Sequence, residues 1–129
     1  MVNITRVDDK YKWKACGLSV IYWKDEYPSD EIIDYGNKLA EYYINNKKVI
    51  SEQIYSKILK DEELVGNNWC TGKYNKEQII ELLGMPEINV NSKESAILFY
   101  LDSDLDVLGD HLFSAEIHNF EICDIFIEG

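Results

Sequence analysis

Asp102, Asp104 and Asp106 stand at alternate positions, and Asp110 follows in the same acidic connector. That spacing matches ligand positions 1, 3, 5 and 9 of a calcium loop, where a hard cation takes clustered carboxylates. Val107 stands where such a loop needs glycine, and Phe113 where it needs the bidentate glutamate. The segment therefore reads as a solvated connector or a partner-binding edge rather than a cation site. His111 and His118 are the two histidines. Seven residues apart on one uninterrupted strand, they would face opposite sides of a sheet, which does not suit a shared metal or proton-transfer role.

Nucleophilic chemistry finds no better support. Cys70 follows Trp69 in a polar stretch, but no cysteine-hydrolase motif surrounds it. None of the serines sits in a G-x-S-x-G elbow. Gly66 and Gly72 lack the lysine and hydroxyl of a phosphate loop. Cys16, Cys70 and Cys123 are odd in number and widely spaced, so neither a disulfide framework nor a zinc knuckle is expected. Cys16 and Cys123 lie in β-like runs and read as small buried hydrophobes. No cofactor or metal is implied.

The elements that would carry these residues are legible from periodicity. Val2 to Val7, Tyr11 to Cys16 and Leu18 to Trp23 alternate as strands, with Tyr11, Trp13 and Ala15 on one side and a turn or bulge at Gly17. The alternating lysines around Tyr11 to Cys16 suggest a solvated edge. Ser29 caps a helix that presents Ile32, Tyr35, Leu39, Ala40 and Tyr43 at helical spacing, with Gly36 permitting close packing and Asn45-Asn46 ending it. Ser51 opens a second helix, with Ile54, Tyr55, Ile58 and Leu59 as its buried stripe, and the two form an antiparallel pair. Asn75 and Gln78 have capping-box spacing for a third helix that Gly84 and Pro86 terminate. Ile88 to Val90 is a short strand. The C-terminal third, Ser95 to Glu128, is a three-strand antiparallel meander with a tight turn at Asn119. The expected fold class is α+β: a mostly antiparallel sheet packed against two or three helices, in one domain spanning residues 1–129.

Among the aromatics, Trp13, Tyr35 and Phe99 are expected in the core. Trp69 is the first candidate for an exposed interface anchor, and Trp23 the next.

At 46% hydrophobic and 29% charged residues the composition is that of a globular domain. No stretch approaches a membrane span, and no basic leader precedes an apolar run, so the expected location is the cytoplasm. The net charge of −11 is unevenly placed. Residues 1–24 carry five Lys or Arg against two acids, whereas residues 102–129 carry eight acids and no Lys or Arg. Such a surface repels phosphate backbones and steers basic proteins toward it. The expected partner is a basic protein, not nucleic acid or membrane.

The run Ile97 to Leu101, then Gly109-Asp110-His111, Ser114 to Ile117 and Ile122 to Ile125 resembles a group of small bacterial α+β proteins, some of them similar to toxin-immunity proteins. Trp13, the helical pair and the Ile88 to Val90 strand are similar to the same layout. The resemblance implies a non-catalytic domain that blocks a toxin by covering it. Asp102, Asp104, Asp106, Asp110 and Glu116 would then steer and position a basic partner, with Trp69 as anchor. Two alternatives are a small metal-dependent hydrolase using Asp102 to Asp110 with a histidine, and a structural homodimer joined through an edge strand, Val2 to Val7 or Ile122 to Ile127.

Overall fold

In the computed structural model, which describes residues 3–61, 74–104 and 111–128, seven strands form one sheet in chain order. They are β1 (Thr5–Val7), β2 (Lys10–Ala15), β3 (Leu18–Tyr22), β4 (Glu87–Val90), β5 (Ser95–Tyr100), β6 (Leu112–His118) and β7 (Glu121–Glu128). Helices α1 (Asp30–Asn45), α2 (Lys47–Lys60) and α3 (Lys76–Leu83) fall between β3 and β4. That crossover returns the chain in the same direction, so β3 and β4 are parallel while every other pairing is antiparallel. The α+β class and the C-terminal meander are as the periodicity predicts.

Local chemistry explains the joints. The β2–β3 turn has Cys16 at φ 51° and Gly17 at φ 81°, and the β6–β7 turn has Asn119 at φ 48° and Phe120 at φ 66°. Two successive left-handed residues match the twist of a two-residue hairpin. Phe120 is a bulky residue in that region, and its ring sits 5.5 Å from Tyr35 and 5.3 Å from Tyr42 on α1. Ser29 Oγ accepts from the Ile32 amide, capping α1. Asn75 and Gln78 form both bonds of the capping box at α3.

The helices cover one face of the sheet. Trp13, Val20, Ile88, Leu98, Phe113 and Ile117 point into this side and meet Leu39, Ile54, Ile58, Ile79 and Leu83 from the helices. Gly36 allows the closest approach. A Cβ there would lie 2.9 Å from Val20 Cγ1 and 3.0 Å from Trp13 Cζ2. Trp13 Nε1 donates to Asn37 Oδ1 at 2.9 Å on the same helix.

Several expectations are corrected. The second helix begins at Lys47, not Ser51, because Asn46 alone breaks the chain (φ −130°, ψ 33°) and the helix restarts without a side-chain cap. Ser51 is buried inside it, its hydroxyl donating to the Lys48 carbonyl, and Leu59 is exposed. Helix α1 packs on β2, β3 and β4, and α2 packs mainly on α3 and β7. Cys16 and Cys123 are exposed, one in a turn and one at a strand irregularity, rather than buried. Phe99 belongs to the face away from the helices. The lysine-rich strand is second in the sheet, with β1 outside it.

Four tyrosines, Tyr22, Tyr35, Tyr43 and Tyr100, are buried in the helix-side core. The Tyr43 and Tyr100 hydroxyls bond each other at 2.9 Å. Among the described residues the Tyr35 hydroxyl has no hydrogen-bond partner. Burial pushes Tyr43 up to about 12, against the lowering effect of its bond to Tyr100. Burial, then Cys123 and Glu94, push Tyr35 up to about 12. Burial, then Tyr43, raise Tyr100 well above its ordinary value.

Two outcomes are expected. Gly36→Ala gains up to about 1 kcal/mol of helix propensity but forces its methyl into side chains with no room to retreat, an overpacking cost of about 1–3 kcal/mol. Urea denaturation should show net destabilisation. A tyrosine raised in the folded state binds its proton more tightly there than in the unfolded chain. Its contribution is therefore intact below pH 10 and is lost as pH rises through about 12. Thermal melts at increasing alkaline pH should fall across that window, and Tyr35→Phe should flatten the fall.

Candidate functional site: the helix-free face of the sheet

Strand alternation places a second set of side chains on the face that none of the described helices covers. Cross-strand register orders them in one row: Lys12, Ile21, Asn89, Ile97, Glu116, Asp124. The neighbouring row includes Phe99, Ser114 and Phe126. Ile21 is 0% exposed although it lies outside the helix-side core, so this face has an apolar centre of its own. Ile97 and Phe99 are half-buried, and Phe126 is 38% exposed.

Charge separates along the row. Lys10, Lys12 and Lys14 all belong to β2, and Lys14 Nζ donates to Ser19 Oγ at 2.8 Å. Glu116 on β6 lies opposite Asp124 on β7, and neither strand contains Lys or Arg. The sequence's basic first segment and acidic last segment thus occupy opposite sides of one sheet. Trp23, 52% exposed, stands at the lysine side. Its ring lies 4.5 Å from Lys10 Nζ, and its Nε1 donates to Asn89 Oδ1 at 2.5 Å. Asn89, buried in the centre of the face, donates in turn to Glu87 Oε1 at 3.3 Å. The indole is thus held by one hydrogen bond and one cation contact.

The β7 edge is partly closed. The Ile122 amide donates to Gln53 Oε1 of α2 at 2.9 Å, and the Ile125 amide to Asp124 Oδ1 at 2.8 Å. Side chains that occupy edge amides oppose strand addition. Cys123 sits beside the irregularity between Glu116 and Ile117. Its Sγ lies 3.5 Å from Glu116 Oε1. Burial, then the Glu116 contact, push its thiol up, away from thiolate reactivity.

The sequence-selected residues divide. Trp69, Asp106, Asp110 and Cys70 lie outside the described residues. Asp102 and Asp104 are exposed in the turn after β5. The Asp104 amide donates to the Leu82 carbonyl of α3 at 2.7 Å, which fixes the start of the connector. Glu116 is half-buried on the open face, opposite Ile97. Ile97 precedes Tyr100 by three positions, so Glu116 is roughly 10 Å of strand away from the Asp102 end. Glu128 narrows that gap, since it pairs with Leu112 one row beyond Tyr100 and Phe113. The histidines occupy opposite ends of β6. His118 Nε2 is 3.7 Å from Glu94, and His111 is exposed just before the strand. The recess of about 200 Å³ that Asp102 lines, with Lys14, Ser19 and Glu87, includes neither histidine. Among the described residues no group of three His, Cys, Asp or Glu is placed to hold a metal ion.

Asp124, Phe126 and Glu128 were not singled out from sequence. Their outward alternation against Ile125 and Ile127 was the available signal. Their relation to Lys12 needs the strand order.

No protein-family model, curated protein or solved structure matches this chain.

The exposures of Trp23 and Trp13 give a direct test of this face. Trp13 is 2% exposed. Trp23→Phe should remove a large share of iodide- or acrylamide-quenchable fluorescence, and Trp13→Phe should leave that share in place.

Proposed function

We propose that this chain is a non-catalytic protein-binding domain whose acidic side receives a basic protein. The observation that carries this reading is the placement of Glu116, Asp124 and Glu128 on β6 and β7, strands without a compensating cation, on the side of the sheet opposite the β2 lysines. Asp102 and Asp104 extend that side at the strand end. Half-buried Ile97 and Phe99 and exposed Phe126 supply apolar contact beside the carboxylates, the arrangement of an apolar centre with a charged rim. The carboxylates raise the encounter rate and fix orientation, and the apolar residues supply the lasting contact.

The immunity reading follows from the resemblance in the C-terminal third. The basic partner is then a toxin, and neutralisation consists of occupying its surface without changing it chemically.

The test is capture from a lysate of the native cell on the immobilised chain. A basic protein should be retained at low ionic strength and released at about 1 M salt, where screening shortens to roughly 3 Å. Asp124→Lys with Glu128→Lys should abolish capture while circular dichroism stays unchanged. Retention indifferent to both salt and charge reversal would reject the reading.

A further inference from the structure

We infer that the recess between α3 and the α1–α2 junction binds a small basic amino acid, of the class of free arginine and lysine. The inference goes beyond the partner reading and does not depend on it, because no described residue of β6 or β7 lines this recess.

Helical spacing builds one wall. Glu77, Ile80 and Glu81 stand at i, i+3 and i+4 of α3, on one face of the helix. Across from them are Tyr43, near the end of α1, and Lys47, the first residue of α2. Met85, just past the end of α3, completes the apolar part of the lining. The recess holds about 460 Å³, within the roughly 300–1,000 Å³ of small-molecule sites. Its rim is open, since Lys47, Glu77, Glu81 and Met85 are all exposed. Tyr43, 1% exposed, forms the floor. Its hydroxyl is already bonded to Tyr100 at 2.9 Å, so what it offers a ligand is its ring.

Charge selects the occupant. Glu77 and Glu81 are one turn apart, where like charges on a helix repel. Glu81 also lies in the last turn of α3, which holds no basic residue, and a carboxylate there opposes the helix dipole. No ion pair with a described residue relieves either glutamate or engages Lys47. The lack is local, because the adjacent Lys76 does pair, with Glu52 at 3.4 Å. The recess thus presents two uncompensated carboxylates, one ammonium and an apolar strip. A matching ligand carries two cationic groups and one carboxylate on an aliphatic stem. A basic α-amino acid has that inventory. Its carboxylate meets Lys47, and its two cationic groups meet Glu77 and Glu81, where a guanidinium can make paired N–H···O bonds. Its stem lies on Ile80 and Met85, and a cation held over the Tyr43 ring gains further attraction. A bare metal ion would leave Lys47 and the apolar strip unused, and among the described residues no three carboxylates, histidines or cysteines converge to hold one.

Isothermal titration calorimetry of the purified chain with L-arginine, at fixed ionic strength, tests the inference. One saturable site per chain is expected. Two analogues dissect it. Citrulline keeps the shape of arginine and loses the side-chain charge, and agmatine keeps the guanidinium and loses the carboxylate. Each should bind about tenfold more weakly than arginine, the loss of one charged hydrogen-bond contact. Glu77→Gln with Glu81→Gln should abolish arginine binding and leave circular dichroism unchanged, since both side chains are exposed. Lys47→Met should weaken arginine about tenfold and should not weaken agmatine, which has no carboxylate for Lys47 to meet. Absence of a saturable arginine site would overturn the inference. So would citrulline or agmatine binding as tightly as arginine, or arginine binding that ignores the glutamate substitutions. Asp124→Lys with Glu128→Lys separates the two readings: it should lose capture of a basic protein and keep arginine binding.

Discussion

The structure depends on how closely α1 lies on the seam between β3 and β4. That seam is the sheet's parallel pairing, and its register is short: Val20 with Ile88 and Ile21 with Asn89. It joins the N-terminal hairpins to the C-terminal meander. Gly36 sits on top of it, with room for no side chain between itself, Val20 and Trp13, and with Val90 next nearest. Close packing of this kind makes dispersion contacts that one added methyl would disrupt. Trp13, bonded to Asn37, ties β2 to the same helix. A second clasp also involves α1: Phe120 meets Tyr35 and Tyr42 and ties down the β6–β7 turn. One helix thus holds both halves of the sheet.

Because all the described helices gather on one side, the opposite side carries its own organisation. Period two means that each strand supplies both faces. The residues that fill the helix-side core therefore fix which residues are left outside. The lysines of β2 and the carboxylates of β6 and β7 are consequences of the same alternation that buries Trp13, Ala115 and Ile125's neighbours. The sheet order sets them roughly 24 Å apart, far enough that they do not neutralise one another. Trp23 is bonded to Asn89 at the centre of that face.

Much of the architecture was legible in the sequence because it rests on local chemistry. Ser29, the Asn75–Gln78 box, Gly84 and the Asn119 turn each act within a few residues. Gly36 was read as a packing glycine, and Trp23 as a candidate for exposure. What escaped involves neighbours far apart in the chain. Alternation alone did not tell which face of β5 the helices cover, so Phe99 was placed in the core. Ser51 has the chemistry of a helix cap, but the helix had already restarted at Lys47. Cys123 lies where β7 departs from regular pairing, and an irregularity leaves no trace in hydrophobic spacing. For the candidate site, Glu116 was legible as an acid on an alternating strand. Its row with Lys12 and Asp124 exists only after five pairings are made.

Strand order that follows chain order has a consequence for the nascent protein. The first three strands emerge together and can pair at once as two hairpins. The next neighbour of β3 arrives only after all of α1, α2 and α3 has been synthesised. Until then β3 is a border strand, paired with β2 on one edge and with no strand on the other, and Val20 and Ile21 are uncovered on its two faces. The ribosome therefore releases a half-built sheet whose most apolar strand waits for β4, and the lysines on the adjacent strand keep that waiting surface charged and soluble.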